Sequence, residues 1–190
     1  MEVMLSSETL RVMTYGAKVL RQRAKPVTEF EGMPELGQKM LEEMRRSHGV
    51  GLAAPQVGIG QRIIVADASC VDATQKPTIL VNPEILDRKG EEAGLEGCLS
   101  LPGIEVEVIR SRQVRVKAQT PAGEPLDFVA KNFFARILQH ELDHLDGILL
   151  LDYLSPFERI LAIWKLRKKA WRTDSEFLKE KERNALVSQL

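Results

Sequence analysis

The chain has 190 residues, 44% of them hydrophobic, which suits one domain with a sizeable core, and its 27 basic and 27 acidic residues cancel. No overall field therefore draws it to DNA or to an anionic membrane. No basic stretch precedes an apolar run at the N-terminus, and nowhere do about eighteen apolar residues follow one another, so a cytoplasmic location is expected.

In that compartment Cys70 and Cys98 read as free thiols or ligands, not as a disulfide. Residues 1 to 9 are polar and read as a frayed end. Leu10 to Met13 alternates weakly, Tyr15-Gly16 reads as a turn, and Pro26 blocks any long helix nearby. After Pro34, Leu36, Met40, Leu41 and Met44 recur at helical spacing to about Ser47. Glu42, Glu43, Arg45 and Arg46 form the charged outer face of this helix, and His48 follows its end. A histidine suits the negative end of a helix dipole, and no partner spacing marks it as a ligand.

Gly49 to Gly58 is a loop of small residues, three glycines and two alanines in ten, that lets another chain approach the backbone. It is not a phosphate loop, because it lacks Gly-Lys-Ser/Thr after the required gap, and position 54 is Ala. Gln56, its one strongly polar side chain, reads equally as a turn residue bonding its own backbone and as an amide donor facing a reacting oxygen. Short strands fit 62–66, 78–82 with an extension to the turn at Lys89-Gly90, 105–108, 114–118 and 126–130. Thr120 to Gly123 joins the last two as a hairpin. Cys70 has no His or Cys nearby and reads as an inert thiol. Cys98, flanked by Gly97 and followed by Pro102, lies on an irregular, narrow path. Many short strands and few helices indicate an α+β fold in which antiparallel strands wrap around one central helix, with an N-terminal and a C-terminal helix beside it.

The chemistry concentrates in Gln139-His140-Glu141-Leu142-Asp143-His144. On a helix, i and i+4 share a face, so His140 and His144 can aim ring nitrogens at one divalent ion. Glu141 is then placed as a general base beside that ion without being a ligand. Phe133, Ile137, His140, Glu141 and His144 make one buried stripe, with Asn132 as a cap at its start and Gly147 at its end. The structural alternative is a pair of hydrogen-bonded core histidines. A catalytic site commonly has three protein ligands. His48 is the only other histidine, and Leu150 stands where a third histidine would follow in one metallopeptidase class. Asp152 and Glu158 are the downstream alternatives. Cys98 is favoured, since its turn is constrained, whereas Asp152 follows an apolar run and could end a strand.

Three stretches together resemble the bacterial-type peptide deformylases: Gly49 to Gln56 (GVGLAAPQ), Glu96 to Ser100 (EGCLS) and Gln139 to Gly147 (QHELDHLDG). The resemblance runs from about Val12 through the helix after Pro156. It implies metal-dependent removal of the N-formyl group from the initiator methionine of nascent chains, with release of formate. Carried over residue by residue, it implies Cys98, His140 and His144 as ligands and Glu141 as base and then acid. It also implies Gln56 and the Leu99 N–H as donors to the formyl oxygen. The peptide is expected as an added strand along Val50-Gly51 and Gly97, with Val50, Phe133 and Ile137 lining a methionine pocket.

Fe2+ is the ion the resemblance implies, although a thiolate and two imidazoles also accept Zn2+, Ni2+ or Co2+. A catalytic core at about 10–155, a helix at about 157–172 and a tail at 173–190 are expected in a monomer. The helix carries Arg159, Lys165, Arg167, Lys168, Lys169 and Arg172 beside Ile160, Leu161, Trp164 and Trp171. It reads as a solvated face on a docked helix, and the resemblance adds ribosome association as a second role. Departures from the family pattern are Gly16, where a proline is frequent after the tyrosine, and Asn132, where a glycine is frequent. Neither touches the chemistry, and asparagine tolerates left-handed backbone.

Overall fold

A computed structural model describes residues 9–168. Expectations for 1–8, for the helix end at 169–172 (with Lys169, Trp171 and Arg172) and for the tail 173–190 fall outside the described residues. The N-terminal helix α1 (Met33–Arg46) forms as its apolar spacing requires, with Leu36, Met40, Leu41 and Met44 all buried and Pro34 in the first turn. In chain order the strands are β1 (Gly51–Ala53), β2 (Ile63–Ala66), β3 (Thr78–Lys89), β4 (Glu92–Gly97), β5 (Glu105–Arg110), β6 (Gln113–Gln119) and β7 (Pro125–Lys131). Five of them form one sheet in the order β1-β2-β3-β6-β7, and β4 and β5 form a separate hairpin. Every strand pair is antiparallel.

Helix α2 (Asn132–Leu145) packs on β1, β2 and β7. Its Ala135, Ile137, Leu138, Leu142 and Leu145 share a core with Ile64, Leu80, Val114 and Val116 of the sheet. Leu138 and Leu145 are fully buried, and each such side chain contributes roughly 1.5–3 kcal/mol of hydrophobic stabilisation. The strands thus surround the helix that carries both histidines, as the α+β reading expects.

The hairpin strand β5 shows period-2 burial, Val106 and Val108 inward and Glu105 and Glu107 outward. Its inner face joins Leu101, Leu149 and Leu151 in a second core, to which Ala162 and Leu166 of a C-terminal helix (α3, 156–168) add their side chains. Strand β4 is different, because Glu96 is the one buried side chain among its six residues.

Four expectations change. The loop at 49–58 contains β1 and a turn of 3-10 helix, Ala54–Val57, with a three-residue strand too short to leave a periodicity signal. Glu96 and Gly97 end a regular strand, and the irregular path begins at Cys98. Asp152 does not end a strand but lies in the 3-10 turn Leu150–Tyr153. Asn132 is no cap: Lys131 holds the N-cap position, and Asn132 is the first helical residue, at φ 53°. The asparagine thus occupies the left-handed backbone that the departure from glycine requires it to tolerate.

Candidate metal centre

Two elements deliver the donors. His140 and His144 sit one turn apart on α2 and their rings meet edge to face, with centroids 5.1 Å apart. Cys98 follows the last residue of β4, and its Sγ lies 3.1 Å from His144 Nε2. One donor atom from each of Cys98, His140 and His144 lies within 4.8 Å of the others. Donors around one tetrahedral first-row ion stand roughly 3.3–3.6 Å apart at ordinary bond lengths, so a thiol and two imidazoles gathered within 4.8 Å are near enough to converge on a divalent cation.

Neither rival third ligand approaches the cluster. Asp152 pairs with Arg21 and with Arg159, and Glu158 bonds back to Ser155. His48 lines the cleft beside the cluster but is not part of it. Cys70 is exposed and free.

Glu96 is the part of the centre that sequence reasoning quoted but gave no role. Its buried carboxylate accepts from Arg110 Nε (3.0 Å) and Nη2 (2.9 Å), from Arg136 Nη1 (2.8 Å) and from His140 Nδ1 (3.0 Å). The last bond fixes the ring so that Nε2 faces the cluster. Burial pushes the Glu96 carboxyl up, but the hydrogen bonds from His140 and Arg110 outweigh it and hold the group at about 2. Arg110 continues to Asp143 (2.6 Å), which also accepts from the Tyr153 hydroxyl (2.7 Å). The partners lie 14 to 44 positions from Glu96 or Arg110, so no local pattern in the chain announces them.

Glu141 is buried, and its Oε2 has no hydrogen-bond partner among the described residues. Burial pushes this carboxyl up to about 7, and the charges of Glu96 and Asp143 add to the rise against His140. A carboxyl poised there both takes and returns a proton near neutrality. For His140, burial favours the neutral ring, yet its bonds with Cys98 and Glu96 prevail and raise it to about 10. Burial holds His144 well below the usual histidine value.

Gln56 bonds the local backbone, as its turn reading expects, and its amide nitrogen faces the donor cluster. Its Oε1 accepts from the Ala53 N–H at 2.7 Å, while Nε2 points to Ser100 Oγ (3.3 Å) and Cys98 Sγ (3.7 Å). The Leu99 N–H makes no hydrogen bond among the described residues. Beside these groups opens a cleft of about 420 Å3, lined by His48 to Gly51, Gln56, Leu95 to Leu99, Phe133, Arg136, Ile137, His140 and Glu141. Val50, Gly51, Gly97, Phe133 and Ile137 are thus all brought to one cavity, with the outer edges of β1 and β4 on its sides.

The family description "Polypeptide deformylase" matches residues 9–160. Peptide deformylase of Thermotoga petrophila is 45% identical over 161 residues, covering 84% of this chain and 93% of that protein. The one from Thermodesulfovibrio yellowstonii is 43% identical over 161 residues, 84% of this chain and 98% of that protein. A crystal structure of a peptide deformylase from Legionella pneumophila superposes with a TM-score of 0.81 at 38% identity, covering 88% of this chain and 98% of that one. The matched span begins before α1 and ends inside α3, so it takes in every element that brings a donor to the cleft. By that match, and by a fold shared with solved relatives, the chain belongs to the polypeptide deformylase family.

Proposed function

We propose that this chain removes the N-formyl group from the N-terminal formyl-methionine of newly synthesised polypeptides, by hydrolysis that releases formate. Family membership carries the activity. The observation that carries the mechanism is the buried, unpartnered Glu141 Oε2 beside the Cys98, His140 and His144 donors. A divalent ion held by those three supplies Lewis acidity, which lowers the pKa of water and polarises a carbonyl oxygen.

This chain's own residues do the rest. Glu141 takes the proton from the attacking water and returns it to the leaving amine. As the formyl oxygen gains charge, the Gln56 amide and the Leu99 N–H donate to it. The peptide pairs along the free edge of β1 and the end of β4 at Gly97, while Val50, Phe133 and Ile137 receive the methionine side chain. Charge at the reacting atoms and main-chain pairing away from them divide the work between chemistry and binding.

Fe2+ is the ion assigned to the site. A thiolate and a redox-active ion both oxidise, so activity purified under nitrogen should decay in air. Equal persistence in both atmospheres would point to Zn2+ or Ni2+. The chain works in the cytoplasm as a monomer, on nascent chains, with residues about 10–155 as its catalytic core. Basic residues on α3 favour a further contact with the ribosome.

The decisive experiment measures formate release from formyl-Met-Ala-Ser by anaerobically purified protein, wild type beside Glu141→Ala, with bound metal quantified in both. Activity in the wild type, lost in a variant that keeps its metal, supports the assignment of Glu141. Folded, iron-loaded wild type that releases no formate defeats the reading.

A further inference from the structure

The strand that carries Cys98 toward the site has almost no apolar anchorage of its own. Glu92, Ala93, Leu95 and Gly97 of β4 are exposed, Gly94 is half-buried, and the single buried side chain is a carboxylate. The position of β4 comes from the ladder to β5 and from polar side-chain contacts, and Arg136 of α2 makes half of the latter. Arg136, one turn before His140, sends Nη2 to the Glu92 carbonyl (2.6 Å) and Nη1 to the Val108 carbonyl (3.0 Å), the Gly94 carbonyl (3.5 Å) and Glu96 Oε1 (2.8 Å). Gly94 and Val108 are register partners across the hairpin, so one guanidinium grips both strands.

Gly94 is what lets it come so close. A Cβ built there would stand 2.8 Å from Arg136 Cζ and 2.9 Å from Nη2. The guanidinium is occupied by these acceptors, and the residue also lines the cleft.

We propose that Arg136 is a positioning residue for the metal centre: it pins the cysteine-bearing hairpin to the histidine-bearing helix and so sets where the Cys98 thiolate stands. The inference rests on the ligand set proposed above. It differs from a role in balancing the charge of Glu96, for which Arg110 is already a bidentate partner. A planar fork with several N–H groups spans two strands, whereas a lysine ammonium supplies charge at one point.

Three variants separate these roles. Arg136→Lys keeps the charge and loses the fork. Arg136→Met keeps the apolar stem and loses both. Gly94→Ala leaves the arginine in the chain and displaces its flexible tip. Each is loaded with Co2+ beside wild type and Cys98→Ala. The near-ultraviolet sulfur-to-cobalt absorption per bound ion and the rate of cobalt loss to a chelator are then read, together with the melting temperature.

Supporting partners of metal ligands typically change affinity about 10- to 100-fold. All three variants should lose cobalt at least about tenfold faster, with a weakened or shifted thiolate band per ion. A purely structural role would lower the melting temperature and leave the band unchanged, which overturns the proposal, as does Arg136→Lys behaving like wild type. If wild type itself shows no thiolate band, the Cys98 assignment falls and takes Arg136 with it. If wild type shows the band and the variants match it, Arg136 alone is wrong.

Discussion

Gly51 and Glu141 stand so close that no side chain fits between them. A Cβ built on Gly51 would collide with Glu141 Oε1 and come within 2.9 Å of its Cδ and 2.8 Å of Ile137 Cγ2. The edge strand β1 and the acid of α2 are thus in contact because one residue between them has no side chain. Gly51→Ala must move either the strand or the carboxylate. Metal content should stay near one ion per chain, while kcat falls by about 100-fold or more, the scale of losing a positioned general base. Undiminished kcat in the alanine variant would show that Glu141 has room to spare.

Gln56 is held by one end and turns the other toward the donor cluster. Its Oε1 accepts from Ala53, leaving Nε2 toward Cys98 and Ser100. Gln56→Glu keeps the accepting oxygen and removes the donor, so it should fold and bind metal yet lose about 100- to 1000-fold in kcat, as a missing oxyanion donor does. If KM rises instead and kcat holds, the amide serves binding, not the transition state.

Cys98→Ala should abolish retention of the ion through gel filtration, and Asp152→Asn should retain it. Reversal of that pair would restore the carboxylate ligand of an endopeptidase-type site. The geometry argues for the first outcome, because Asp152 spends its oxygens on Arg21, Arg159 and the Leu149 N–H.

Asp152 also gives a pH signature. Burial raises its carboxyl, but the bond from Arg21 and the further contacts with Leu149 and Arg159 outweigh it and hold the group below its ordinary 3.8. A carboxyl depressed by folding adds stability above its unfolded value and loses it as pH falls through the folded one. The melting temperature of Asp152→Asn should therefore lie below wild type at pH 7, with the gap closing as pH drops below about 4. A gap that does not change with pH would show the ion pairs to be energetically idle.

Removing α3 is a poor test of ribosome contact, because Ala162 and Leu166 are buried in the core with Leu149 and Leu151. Charge reversal is cleaner. Lys165 and Lys168 are exposed, so the double change to Glu should leave formate release intact. It should also reduce ribosome co-sedimentation, most visibly at low salt. Equal sedimentation of both proteins would leave α3 as a docked helix only.

Much of this was legible in the chain, for physical reasons that differ by element. Met40 and Met44 announce α1 through a 3.6-residue period, and Val106 and Val108 announce β5 through alternation, because burial on one face writes a period into sequence. His140 and His144 announce the centre because two ligands on one helix need a fixed spacing. Strand β1 is too short to hold a period, and β4 buries a carboxylate where alternation would look for an apolar side chain. Arg110 and Arg136 stayed silent for a further reason. An arginine in a sequence looks like surface, and only the fold shows that these two converge on Glu96.

The shortness of β1 has a consequence for selectivity. An edge of three residues, Gly51–Ala53, offers main-chain groups to only a few residues of an incoming chain. Peptide groups are alike in every protein, so pairing along that edge, as proposed above, would leave the side chains beyond the first methionine unread there. The same brevity denies neighbouring molecules a long template, so an open strand edge is carried without inviting aggregation.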